Sequence, residues 1–184
     1  MGRQAEKTGD ISSRGFVWGA GMATRKLLFE TAFSKYHSLL PGRSGSILSS
    51  GDDNEYCLRL LFMGYRLFYD ENLQFVHYIP SGRLTEDYIY RLGEGFKASY
   101  TTLSKYSLLL FLRSLPAHVK VKTFLSSCLK LIITLLIAKR KWSRSYDAMV
   151  IYFLTGYRLT YVSHESALIK RMYNEFRSSG YPVS

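Results

Sequence analysis

The segment from Gly51 to Gly64, G-D-D-N-E-Y-C-L-R-L-L-F-M-G, constrains this chain more than any other. Apolar Leu58, Leu61 and Phe62, with Tyr56 and Cys57 one turn earlier, keep helical spacing from Asp53 to Met63. Asp52 and Asp53 stand at the start, where carboxylates cap or complement the positive end of a helix. Gly64 suits the C-cap, which favours a positive φ. Hydrophobic residues make up 47% of the 184, enough for a real core and against wholesale disorder.

Around this helix the punctuation suggests mixed structure. Residues 1–14 are polar and read as a disordered lead-in. Phe16-Val17-Trp18 reads as a buried strand ending at Gly19-Ala20-Gly21, and Thr24 as the N-cap of a short helix over R-K-L-L-F-E. Pro41 to Ser46 is a loop by composition. Arg66 to Tyr69 and Leu73 to Tyr78 are strand candidates separated by Asp70-Glu71-Asn72. Leu84 to about Leu103 reads as a helix.

After Lys105 the composition shifts to Leu, Ile and Lys, with helices expected over Tyr106 to Arg113, Pro116 to Arg140 and Ser143 to about Thr160. The most apolar run, Leu129 to Ala138, carries Lys130 and falls short of the ~20 clean apolar residues a bilayer span needs. The expected fold is α/β over 15–104 and an all-helical tail over 105–184.

Lys and Arg outnumber Asp and Glu by 25 to 14, a net charge of +11 that favours an anionic partner. Cys57 and Cys128, the only cysteines, have neither zinc spacing nor a disulfide framework and read as reduced core residues of a cytoplasmic protein. The polar N-terminus has no apolar stretch of the kind a secretory signal needs.

Each feature has an ordinary structural explanation: Asp52 and Asp53 as helix caps, His77 as a packed residue at a strand end, Gly19 and Gly21 as a turn, Arg59 as a solvated helix arginine. Their order and spacing carry more. W-G-A-G-M-A-T-R at Trp18 to Arg25, then G-D-D at Gly51 to Asp53, L-R at Leu58-Arg59, G-Y at Gly64-Tyr65, Y-D at Tyr69-Asp70 and V-H at Val76-His77 follow one another. This arrangement, from Phe16 to Phe96, resembles the family 2 inverting glycosyltransferases of the GT-A fold.

The resemblance implies an α/β fold holding the acceptor-side, C-terminal half of a GT-A sheet. It implies transfer of a sugar from a nucleotide sugar to a glycan or lipid-linked acceptor, as in cell-surface polysaccharide synthesis. Asp53 would be the general base taking the acceptor hydroxyl proton, with Asp52 supporting it. Trp18, Gly19, Ala20, Gly21 and Arg59 would contact donor or acceptor. His77 would be one ligand of a divalent cation, magnesium or manganese, that neutralises the leaving diphosphate. The loop from Pro41 to Ser50 would be an acceptor lip, and Arg83 and Lys97 are candidate phosphate contacts.

The family's D-x-D motif and its nucleotide-binding half do not occur in the sequence, so the metal site is incomplete. The chain is accordingly expected to be a fragment, inactive as a transferase by itself. The basic residues Arg113, Lys120, Lys122, Lys130, Lys139, Arg140, Lys141 and Arg144 flank Leu and Ile runs. They suit either a bundle with a solvated basic face or a peripheral contact with an anionic membrane, at the inner face of a bacterial plasma membrane. A non-catalytic subunit of another transferase is the alternative. Nucleic-acid binding is disfavoured, because the cations are scattered through apolar helices and no recognition motif accompanies them.

Overall fold

The computed structural model describes residues 4–40, 50–137 and 141–180. The elements run β1 (Gly9–Asp10), α1 (Lys26–Ser34), α2 (Asp52–Met63), β2 (Phe68–Tyr69), α3 (Glu86–Ser114), α4 (Ala117–Ile137), α5 (Lys141–Thr155) and α6 (His164–Ser178). The chain divides into two compact units, Met1–Ser104 with Glu175–Ser184, and Lys105–Asn174.

The α/β expectation is overturned. Among the described residues the one sheet is the antiparallel pair β1–β2, two residues on each strand, and the architecture is predominantly helical. No half of a GT-A sheet is present among them. Phe16 to Trp18 and Leu73 to Tyr78 carry strand-like residues but form no ladder. Short apolar runs do not by themselves select strand. Leu73 to Tyr78 is exposed throughout, so it has no buried face to fix a register. The polar lead-in instead supplies β1, and Ile11 N–H extends the pairing to the Leu67 carbonyl at 2.8 Å.

The helix expected from Asp53 to Met63 is α2. Gly64 (φ 93°) ends it in a Schellman motif: Gly64 N–H reaches the Leu61 carbonyl at 3.1 Å and Tyr65 N–H the Leu60 carbonyl at 3.0 Å. The amphipathic pattern understates its burial. Glu55 through Leu60 are six consecutive buried residues, more than a full turn, so α2 is the enclosed central helix of its unit. Tyr56 packs with Phe29 and Phe33 at ring separations of 5.2 and 5.9 Å. A side chain on Gly51 would meet Leu103 and Ser99 of α3 at 3.1 and 3.2 Å, so the start of α2 is pressed closely against α3.

Enclosing α2 brings a charge inside. Arg59 and Glu55 are both fully buried and paired at 2.7 Å. Arg59 also donates to the carbonyls of Ala32 (2.7 Å) and His37 (2.8 Å) and to that of Tyr36, and stacks 4.4 Å from the Phe33 ring. Helix α1 ends at Ser34 without a left-handed cap, and its last carbonyls need donors. Arg59 supplies donors to that end from another helix. Glu55 in turn accepts from Ser38 Oγ and from the N–H groups of Leu39 and Leu40 at 2.7–3.1 Å.

In the second unit, Tyr106, Leu109, Phe153, Ile169 and Met172 are buried together with Lys170. Gly156 (φ 88°) closes α5 through a bond to the Tyr152 carbonyl, and the Ser163 hydroxyl accepts from Ser166 N–H at the start of α6. The expected helix end near Leu103 does not occur: nothing from Lys97 to Leu115 is Gly or Pro, and α3 continues until Pro116 forbids it.

Two outcomes follow. Glu55→Ala or Arg59→Met strands a buried partner and should each cost about 3–5 kcal/mol in urea unfolding, with the double variant costing less than the summed singles. Lys170, only 7% exposed, donates to the Tyr152 carbonyl and lies 4.4 Å above its ring. Burial, then the Arg113 charge, lowers its pKa from 10.5 to about 8. The unfolded chain therefore binds more protons between those values, and stability should rise as pH climbs through that window. Lys170→Met should flatten the change in urea midpoint between about pH 7.5 and about pH 9.5; an unchanged slope would contradict the assignment.

Candidate functional site

The first unit brings together two segments that the sequence marks separately. Gly19 N–H donates to Asp53 Oδ2 at 2.9 Å, across 34 residues of chain. The other oxygen of Asp53 accepts from Asn54 N–H at 2.9 Å. Asp53 is partly exposed and Asp52 exposed, one on each of the first two positions of α2. Gly51 (φ 103°), not an aspartate, occupies the N-cap, and no side chain caps the helix. Asp53 is therefore not the N-cap: one carboxylate oxygen serves the Asn54 N–H of its own helix and the other is turned to the Gly19 backbone.

Gly19 begins a tight turn in which Met22 N–H reaches the Gly19 carbonyl at 3.2 Å. Gly21, third in that turn, has φ 82°, as a type II turn requires. It has a second reason to be glycine: a Cβ there would lie 2.3 Å from the Phe75 ring. A Cβ on Gly19 would lie 2.9 Å from Asp53 Oδ2. Trp18 is exposed; its backbone N–H donates to Gln4 Oε1 at 2.6 Å, and the Arg14 guanidinium lies 5.4 Å from its ring. Ala20 is exposed at the lip of a cleft of about 580 Å³.

That cleft runs between the Ala20–Arg25 segment and the Tyr65–Asp70 segment, over Leu28 and Leu60. Arg25, Arg66, Tyr65 and Tyr69 give it cationic and aromatic walls. Arg66 pairs with Asp10, whose carboxyl is held below its usual range by bonds to Ser12 and by that guanidinium. Asp53 is not among the lining residues; it adjoins the cleft through Gly19, next to Ala20.

The remaining candidates lie elsewhere. Arg59 is enclosed in the core and has no surface to offer a donor or acceptor. His77 is exposed, and its ring lies 6.1 Å from that of Phe75. Among the described residues no three His, Cys, Asp or Glu side chains converge in a group that could hold a metal ion. Lys97 pairs with Glu94 at 2.6 Å, and Arg83 sits in an exposed 3-10 turn. Most of the expected lip, 41–49, lies outside the described residues, as do Lys139 and Arg140. Sequence reasoning missed Glu55, although its i,i+4 spacing to Arg59 within an apolar run pointed to it. It also left unassigned the cleft residues Arg25, Tyr65 and Tyr69, all of which sit inside or beside the quoted motifs.

The two glycines should respond differently to alanine. Gly21→Ala meets both an aromatic ring and an unfavourable φ and should cost about 1–3 kcal/mol. Gly19→Ala meets a carboxylate that can swing away, so it should cost less while displacing Asp53. Urea unfolding of the two variants checks the order.

Set against known proteins, the chain matches no protein-family model, no curated protein and no solved structure. Its likeness to family 2 glycosyltransferases therefore rests on the quoted motifs alone.

Proposed function

We propose that the chain takes part in transferring a sugar from a nucleotide sugar to a glycan or lipid-linked acceptor, in cell-surface polysaccharide synthesis at the cytoplasmic side of a membrane. One observation supports this reading above the others: the Asp53 carboxylate meets the Gly19 backbone at the edge of a cleft. A carboxylate that is oriented by one backbone N–H on each oxygen and still reached by solvent keeps lone pairs with which to accept a proton from a sugar hydroxyl. The exposed Ala20 and Trp18 beside it offer a surface on which the acceptor ring can rest.

The proposed role involves neither a GT-A sheet in this chain nor a metal step at these residues. The nucleotide and any magnesium or manganese would be held by groups beyond those described, in a partner chain or in another segment. In that arrangement the present chain contributes the acceptor side, which joins the enzymatic reading to the partner-subunit one.

Two measurements test it. Titrating a panel of mono- and disaccharides into isotope-labelled protein should shift the Gly19 and Asn54 amide signals at about millimolar concentration, and Asp53→Asn should abolish the shifts. Silence of both amides across the panel sinks the proposal. Purified alone, the chain should release no nucleotide from nucleotide sugars. Where a nucleotide-binding partner restores turnover, Asp53→Asn should lower it by about 10²–10⁴-fold.

A further inference from the structure

The net charge of the protein is carried almost entirely by one unit. Residues 105–174 hold 12 Lys and Arg against two Asp and Glu, a net of +10 out of the chain's +11. The two acids do little to offset this at the surface. Asp147 is buried, and Glu165 is paired with Lys105 at 2.7 Å.

Within this unit α4 presents an uncovered apolar stripe. Its inner face, Ser127, Leu131 and Thr134, is buried or turned to α5, where the Arg144 guanidinium donates to the Thr134 carbonyl at 2.8 and 3.2 Å. On the opposite side Val121, Leu125, Leu129, Ile132 and Leu136 follow i, i+4, i+8, i+11, i+15 spacing and are 55–79% exposed. Ile133 and Leu135 widen the stripe at its end. Lys122 and Lys130, both exposed, sit on one flank, and α4 contains no acid. Among the described residues no helix is long and apolar enough to cross a membrane.

We infer that α4 is a docking helix for an anionic lipid bilayer, lying in the plane of the surface with the Val121–Leu136 stripe at the acyl boundary and Lys122 and Lys130 at lipid phosphates. An apolar stripe flanked by lysines matches both layers of such a surface, hydrocarbon below and negative headgroups above. A second copy of the chain is a poor occupant, because pairing two units of +10 brings like charges together. Nucleic acid would meet the lysines but leave the leucines and isoleucines in water. The inference does not depend on the transferase reading, since no catalytic group enters it.

Flotation of the full chain with vesicles provides the test. Vesicles of phosphatidylcholine with about 30% phosphatidylserine should carry the protein upward, and pure phosphatidylcholine vesicles should carry little. Leu129→Glu with Leu136→Glu, at exposed positions and with folding checked by circular dichroism, should weaken binding by about tenfold or more. Lys122→Glu with Lys130→Glu should weaken it too, and high salt should mimic that change. Asp53→Asn should float like the unaltered protein. The proposal is overturned if serine-containing vesicles carry no protein, or if the Leu129/Leu136 variant floats undiminished. It is equally overturned if that variant merely dissolves a dimer seen by analytical ultracentrifugation, or if single-stranded DNA binds where vesicles do not.

Discussion

A guanidinium with no exposed surface has to spend its donors inside the protein, and the first unit is arranged around that requirement. Arg59 reaches one carboxylate and three backbone carbonyls, while Glu55 gathers a hydroxyl and two backbone N–H groups on its other side. The pair thereby specifies the path of residues 32–40, a stretch containing no regular structure after Ser34. A buried ion pair is weak evidence for high stability, since desolvation offsets much of the attraction. Its contribution here is directional: no purely apolar contact could hold carbonyls and amides of an irregular segment in register against a helix.

With α2 fixed in this way, its N-terminus is fixed too, and with it Asp53. The helix cap falls to a glycine, and Asp53 serves the Asn54 N–H of its own helix with one oxygen while the other is left for a partner outside it. Asp53 takes the Gly19 N–H, and the turn that follows is closed by a glycine lodged against Phe75. The candidate site is thus built from backbone turns leaning on a rigid helix, an economical way to place one carboxylate at a cleft edge. The pair that organises the core and the residue that borders the cleft lie within two turns of the same helix.

The two units differ in electrostatic character. Excluding residues 105–174, the chain holds 13 Lys and Arg against 12 Asp and Glu and is nearly neutral, while those 70 residues hold nearly all the excess charge. A uniform excess would mainly aid solubility. A concentrated one, beside an uncovered apolar stripe, confers orientation on whatever surface the protein meets.

The local features of the chain were legible without coordinates. The Asp53–Met63 helix, its Gly64 cap and the shortness of the apolar run near Leu129 all follow from spacing and from the φ preferences of single residues. The quoted motifs also marked Gly19 and Asp53 before anything joined them. What the sequence could not determine was which segments find partners. Strand propensity at Phe16–Trp18 and Leu73–Tyr78 came to nothing because a strand exists only through a neighbour, and the one short pairing among the described residues went to a polar stretch near the N-terminus. Arg59 looked like a surface arginine because exposure of a helix face is set by what packs over it, and only the tertiary structure wraps α1 and its tail around that face. Residue type determined what each group is able to do; long-range packing decided which groups were enclosed and which were left to act.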